Sequence, residues 1–100
     1  MDKRIKNIEQ QENTLDKAEI LVEQLENLIY KWENLHPDFT KLMDYYGSTE
    51  WIKDMEESNQ GVFEDIKCGV LSEDAVYNLY TRQRNLNFRM VRIAIDYLEK

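Results

Sequence analysis

Apolar residues recur along the first third of the chain in steps of three, four and seven: Ile5, Ile8, Leu15, Ala18, Leu21, Val22, Leu25, Leu28, Ile29, Trp32 and Leu35. Steps of that size return a side chain to one face of an α-helix. Residues 3–35 hold no Gly or Pro, so the spacing predicts a single amphipathic helix there. One heptad series is Ile8, Leu15, Val22 and Ile29; a second is Leu21, Leu28 and Leu35, continued by Leu42. Before Leu21 the stripe is narrow, with Gln11, Glu12 and Glu19 near the seam, and after Leu21 it is broad. The second half is expected to face a core. The first half is expected to be a frayed extension or a thin coiled-coil seam. At about 1.5 Å per residue the helix is nearly 50 Å long, more than the diameter of a compact body of this size, so its first turns either project or pair with another chain.

Pro37 lacks an N–H and disfavours a helical His36, so the first helix is expected to stop or kink there. Phe39, Leu42, Met43, Tyr45 and Tyr46 predict a short helix at about 38–46, which Gly47 ends. Ser48 is placed to cap a second short helix at about 49–57, carrying Trp51, Ile52 and Met55. Residues 59–71 contain Gly61 and Gly69 and read as a loop, with Val62, Phe63 and Ile66 pinned on the core. Ser72 caps a last helix at about 73–98, whose first-turn Glu73 and Asp74 complement the helix dipole. Its apolar face is Val76, Leu79, Tyr80, Leu86, Met90, Ile93, Ala94 and Tyr97. The simplest burial scheme is an all-α bundle: two long antiparallel helices closed by the short ones, in one domain spanning 1–100.

Charge narrows the candidate partners. The chain has 20 acidic and 13 basic side chains, for a net −7. That field repels phosphate backbones, so nucleic acid is not an expected partner, and it attracts a basic protein surface. The charge is uneven: −3 over residues 1–35, −7 over 36–74 and +3 over 75–100. Arg82, Arg84, Arg89 and Arg92 crowd the last helix and are expected to lie opposite the acidic first helix as ion pairs. The single Cys68 excludes an internal disulfide and fits a reducing compartment. No secretory leader or membrane span is legible, and a cytoplasmic location is expected.

Candidate chemistry is sparse. His36 is the only histidine, and it sits at a helix junction. Cys68 has only Lys67 as a basic neighbour, too little to make it a nucleophile. The acidic pairs Glu56–Glu57, Glu64–Asp65 and Glu73–Asp74 lack the alternating spacing of a calcium loop. No phosphate loop, metal-histidine pair or nucleophile elbow is present, so neither catalysis nor a cofactor or metal is expected. Aromatics cluster at Tyr45, Tyr46 and Trp51, where they serve equally well as core or as interface.

The run Tyr45-Tyr46-Gly47-Ser48 with Trp51 and Asp54, followed by Gly69-Val70-Leu71-Ser72-Glu73-Asp74-Ala75-Val76-Tyr77, resembles a family of small bacterial helical proteins classed only as a domain of unknown function. The resemblance runs from end to end. It implies a bacterial, Firmicute-type, cytoplasmic helical protein and transfers no activity. Read as architecture, the same motifs make Gly47 and Ser48 a helix junction, let Trp51 and Tyr45 fill its corner, and leave Asp54 to accept a tyrosine hydroxyl or a backbone N–H. The expected function is a non-enzymatic, acidic protein-binding module of adaptor, inhibitor or immunity type. Its candidate interface is Tyr45, Tyr46, Trp51 and Asp54, with Ile5, Ile8 and Leu15 on the leading helix. The alternatives are a homo-oligomer, at its simplest a homodimer, formed through the N-terminal heptads, and a small-ligand or enzyme site near Tyr45, Tyr46, Asp54 and Asp74.

Overall fold

The computed structural model describes residues 2–100. In chain order it holds α1 (Asp2–Tyr45), α2 (Thr49–Asn59), a 3-10 turn (Gly69–Leu71) and α3 (Glu73–Leu98), with no strand among the described residues. The fold class is all-α, as the periodicity predicts. Internal contacts divide the chain into two units, Met1–Phe39 and Thr40–Lys100.

The first unit is helical throughout its described residues. The expected stop at Pro37 does not occur: Pro37 lies inside α1, and the short helix expected at 38–46 is the last turns of α1. The apolar stripe explains the continuity. Trp32, Leu35 and Phe39 keep steps of three and four across the proline, and the Trp32 and Phe39 rings meet at 5.1 Å between centroids, bracketing it. Proline still removes the donor that the Glu33 carbonyl would use, but both residues are exposed and water reaches that oxygen.

Around α1 the rows are ordered by helical geometry. Leu21, Leu28 and Leu35 form one edge of the apolar face, Ala18, Leu25 and Trp32 its centre, and Ile8, Leu15, Val22 and Ile29 the other edge. The row beyond that second edge is Ile5 followed by Glu12, Glu19, Glu26 and Glu33. α1 therefore carries an apolar stripe flanked by glutamates from Glu12 to Glu33. Burial of this stripe, expected from closure of the long helices, is absent: Ile8, Leu15, Leu21, Val22, Leu25, Leu28, Ile29 and Leu35 are each 48–61% exposed, as is Ile5 in the neighbouring row. The hydrophobic period specifies a face, but it does not supply a surface to cover it.

In the second unit, α2 and α3 both rest on the 3-10 turn. Its buried side chains are Trp51 and Val76, 6% and 4% exposed. Gly47, at φ +80°, turns the chain out of α1 in a conformation that a side chain disfavours. Ser48 then caps α2, its Oγ accepting from the Trp51 N–H at 3.1 Å while its hydroxyl donates to the Tyr45 carbonyl at 2.6 Å. Ser72 caps α3 through the Ala75 N–H at 3.4 Å. The boundaries of α3 are those expected, and α2 runs two residues past its expected end at 57. Between α2 and the 3-10 turn the expected anchoring is only partial. Phe63 is half-buried, but Val62 and Ile66 are exposed, because residues 60–65 form tight turns that aim them outward. Along α3, Leu79, Leu86, Met90 and Ile93 are also about half exposed, and the four arginines are exposed, with Arg84 lying 5.5 Å over the Phe88 ring.

Candidate functional site

The aromatic corner after α1 is the most tightly built part of the chain. Trp51 enters from the first turn of α2, placed there by the Ser48 cap. Its indole Nε1–H donates to the Val70 carbonyl at 2.9 Å, which ties α2 to the 3-10 turn. The Tyr46 ring meets the Trp51 ring edge-on, with 5.0 Å between centroids, and its hydroxyl donates to the Glu73 carbonyl at 2.8 Å in the first turn of α3. Tyr45 points the other way and donates its hydroxyl to Asp54 Oδ2 at 2.6 Å, the acceptor role that the sequence suggested for Asp54. The three aromatics thus stitch the end of α1, α2 and the start of α3 together within the second unit.

A shallow hollow of about 260 Å³ opens beside this corner, lined by Tyr45, Asp54, Phe63, Ile66, Lys67, Cys68, Val70 and Leu71. Tyr45 and Asp54 meet there as the ligand-site alternative required; Tyr46 does not line it, and Asp74 stands exposed in the first turn of α3. Lys67 and Cys68 do line it, although neither carries a sequence signal that marks them as neighbours of Tyr45. The Cys68 thiol lies 3.6 Å from the Phe63 carbonyl and 3.5 Å from that of Ile66.

The electrostatics of the hollow follow from the Tyr45–Asp54 pair. The hydrogen bond to the Asp54 carboxylate holds the phenol proton, and burial together with the nearby negative charge of Asp54 adds to it; the Tyr45 hydroxyl is pushed from 10.0 up to about 12. Such a phenol keeps its proton at neutral pH and is no general base there. No buried side-chain nitrogen or oxygen among the described residues lacks a partner, and no group of three or more His, Cys, Asp or Glu side chains is arranged to hold a metal. The polar groups of this corner are hydrogen-bonded to one another and to nearby backbone carbonyls.

Of the candidate interface residues, Trp51 is buried, Tyr45, Tyr46 and Asp54 are half-buried and bonded inward, and Ile5, Ile8 and Leu15 are about half exposed on α1. The chain is thus a small all-helical protein with a bonded aromatic corner and a bare amphipathic helix. It belongs to the DUF4298 family, a domain of unknown function, whose model matches residues 8–93, a span that takes in the aromatic corner and most of both long helices. No curated protein and no solved structure matches it. No helix of the described residues is long and apolar enough to cross a membrane.

Proposed function

We propose that this chain is a non-enzymatic protein-binding module whose docking surface is the apolar face of α1. The observation that carries this reading is the exposure of that face: eight large apolar side chains in register along one helix, each about half open to water. Soluble monomers rarely leave contiguous apolar patches larger than a few hundred Å² uncovered, and larger ones mark interaction surfaces. Residues at i, i+3, i+4 and i+7 are also the anchors by which one helix seats against another. The role is of adaptor or inhibitor type, exerted by occupancy. A lone free cysteine and the family resemblance support a bacterial, cytoplasmic setting.

Site-specific photocrosslinking tests this reading. A crosslinker at Leu25, in the centre of the face, is expected to give protein adducts in cells, whether to a second copy or to another protein. One at Asn27, on the opposite side of the helix, is expected to give few. Equal yields from the two positions, or none from either, would remove the reading.

A further inference from the structure

We propose that the surface covering the apolar face of α1 is α3 of a second copy of this chain, laid parallel to it. This rests on the reading of that face as a docking surface and goes on to name the occupant.

The chain carries its own complement. In heptad terms, α3 presents Gln83, Met90 and Tyr97 alternating with Leu79, Leu86 and Ile93, and the row flanking the second set is Arg82 and Arg89, followed by Asp96 in the last turns. α1 presents the mirrored arrangement, an apolar face flanked by Glu12, Glu19, Glu26 and Glu33. In a parallel pair of helices, the flank beside one seam meets the opposite flank of the other, so the glutamate row of α1 falls against the arginine row of α3. Setting Ala18 beside Leu79, Leu25 beside Leu86 and Trp32 beside Ile93 of the partner subunit brings Glu26 to Arg82 of the partner subunit and Glu33 to Arg89 of the partner subunit. The same register puts Leu28 beside the small Ala94 of the partner subunit. Pairing α1 with a second α1 is worse. Antiparallel, it sets the glutamate rows against each other; parallel, it sets them against the Leu21, Leu28 and Leu35 edge.

The area is sufficient. Each half-exposed large side chain of α1 leaves on the order of 80 Å² of apolar surface to remove, by the usual conversion between transfer energy and area, or roughly 600 Å² over the face from Leu15 to Leu35. In a twofold-symmetric pair each subunit gives its α1 face to one contact and its α3 face to the other. The total passes the roughly 800 Å² per partner of a stable interface.

The test is light scattering on the full chain at high micromolar concentration, with charge reversal. The wild-type chain is expected to be dimeric. Glu26→Arg with Glu33→Arg is expected to weaken the dimer on the order of a hundredfold, because each subunit's two pairs turn repulsive at both contacts. Adding Arg82→Glu with Arg89→Glu is expected to restore most of that loss, while circular dichroism shows every variant to be helical. A monomeric wild-type chain overturns the proposal; adducts at Leu25 to a different protein would then leave the docking surface standing. A dimer indifferent to the reversals, or one weakened by them and not rescued, also overturns it.

Discussion

Removal of the Trp51 side chain tests whether the aromatic corner is what holds the second unit together. Trp51 is 6% exposed, so Trp51→Ala deletes nearly a whole buried indole. Large aromatic-to-alanine changes in cores cost about 3–5 kcal/mol. Two contacts contribute to that figure: the Nε1–H bond to Val70, about 1 kcal/mol for a typical hydrogen bond, and the edge contact with Tyr46, about 0.5–1.5 kcal/mol. A unit of this length has a total stability of only about 3–9 kcal/mol at the usual per-residue range. The alanine variant should therefore lose a third or more of it. Trp51→Phe keeps a ring against Tyr46 and loses the indole donor; because Val70 is partly open to water, its carbonyl is resolvated and the cost should be about 1–2 kcal/mol. Urea denaturation measures the global term. Amide exchange at Leu71 and Ser72 measures the local one, because their N–H groups bond across the 3-10 turn, to the Cys68 and Gly69 carbonyls at 3.0 and 3.1 Å, and Trp51 pins that turn. Trp51→Ala should raise those exchange rates on the order of a hundredfold, from about 3 kcal/mol at 1.4 kcal/mol per decade. An unchanged urea midpoint together with unchanged exchange at Leu71 and Ser72 would refute the assignment of Trp51 as the core of this unit.

Tyr45 sets an alkaline limit on the same corner. Its proton is held in the folded state up to about 12 against 10.0 for an ordinary tyrosine, so its stabilising effect is complete below pH 10 and fades as pH rises through 10 to 12. Ultraviolet titration should show one phenol ionising late, and Tyr45→Phe should abolish that late step and lower stability at neutral pH by about 1 kcal/mol. At Pro37, restoring the missing N–H should help a helix that runs straight through: Pro37→Ala should raise helix stability by up to about 3 kcal/mol and slow amide exchange in the turns around it. If the chain were broken there, the same change would be neutral or harmful, and exchange would not slow.

The parts of the fold that were legible from the residues are those governed by neighbours in sequence. Ser48 and Ser72 read as caps because a cap needs only a hydroxyl and the next few N–H groups, and both act as such. Gly47 read as a helix end because a positive φ is a local cost. Pro37 misled because its local penalty, about 3 kcal/mol, is weighed against an apolar stripe that continues in phase on both sides of it. The ties that make the corner, Trp51 to the Val70 carbonyl and Tyr46 to that of Glu73, span 19 and 27 residues and end on backbone oxygens. Every residue offers such an acceptor, so no side-chain pattern announces the pairing. The hollow lined by Lys67 and Cys68 was hidden for the same reason.

The amphipathic faces pose a different question, and it bears on function. A period of three and four states that selection among side chains has kept one side of a helix apolar; the pattern is the same whether the cover comes from the same chain, a second copy or another protein. In the second unit that ambiguity resolves in only two side chains, Trp51 and Val76. On α1 the pattern is stronger and no burial answers it. Left in water, a face of about 600 Å² forgoes roughly 15 kcal/mol of transfer free energy at 25 cal/mol per Å², as large as the whole stability of an ordinary domain. The acidic row beside the stripe adds charge to the pattern that any cover would have to match. On the proposed docking reading, binding and the completion of the core are one event, and substitutions along Leu21, Leu25 and Leu28 should weaken both together.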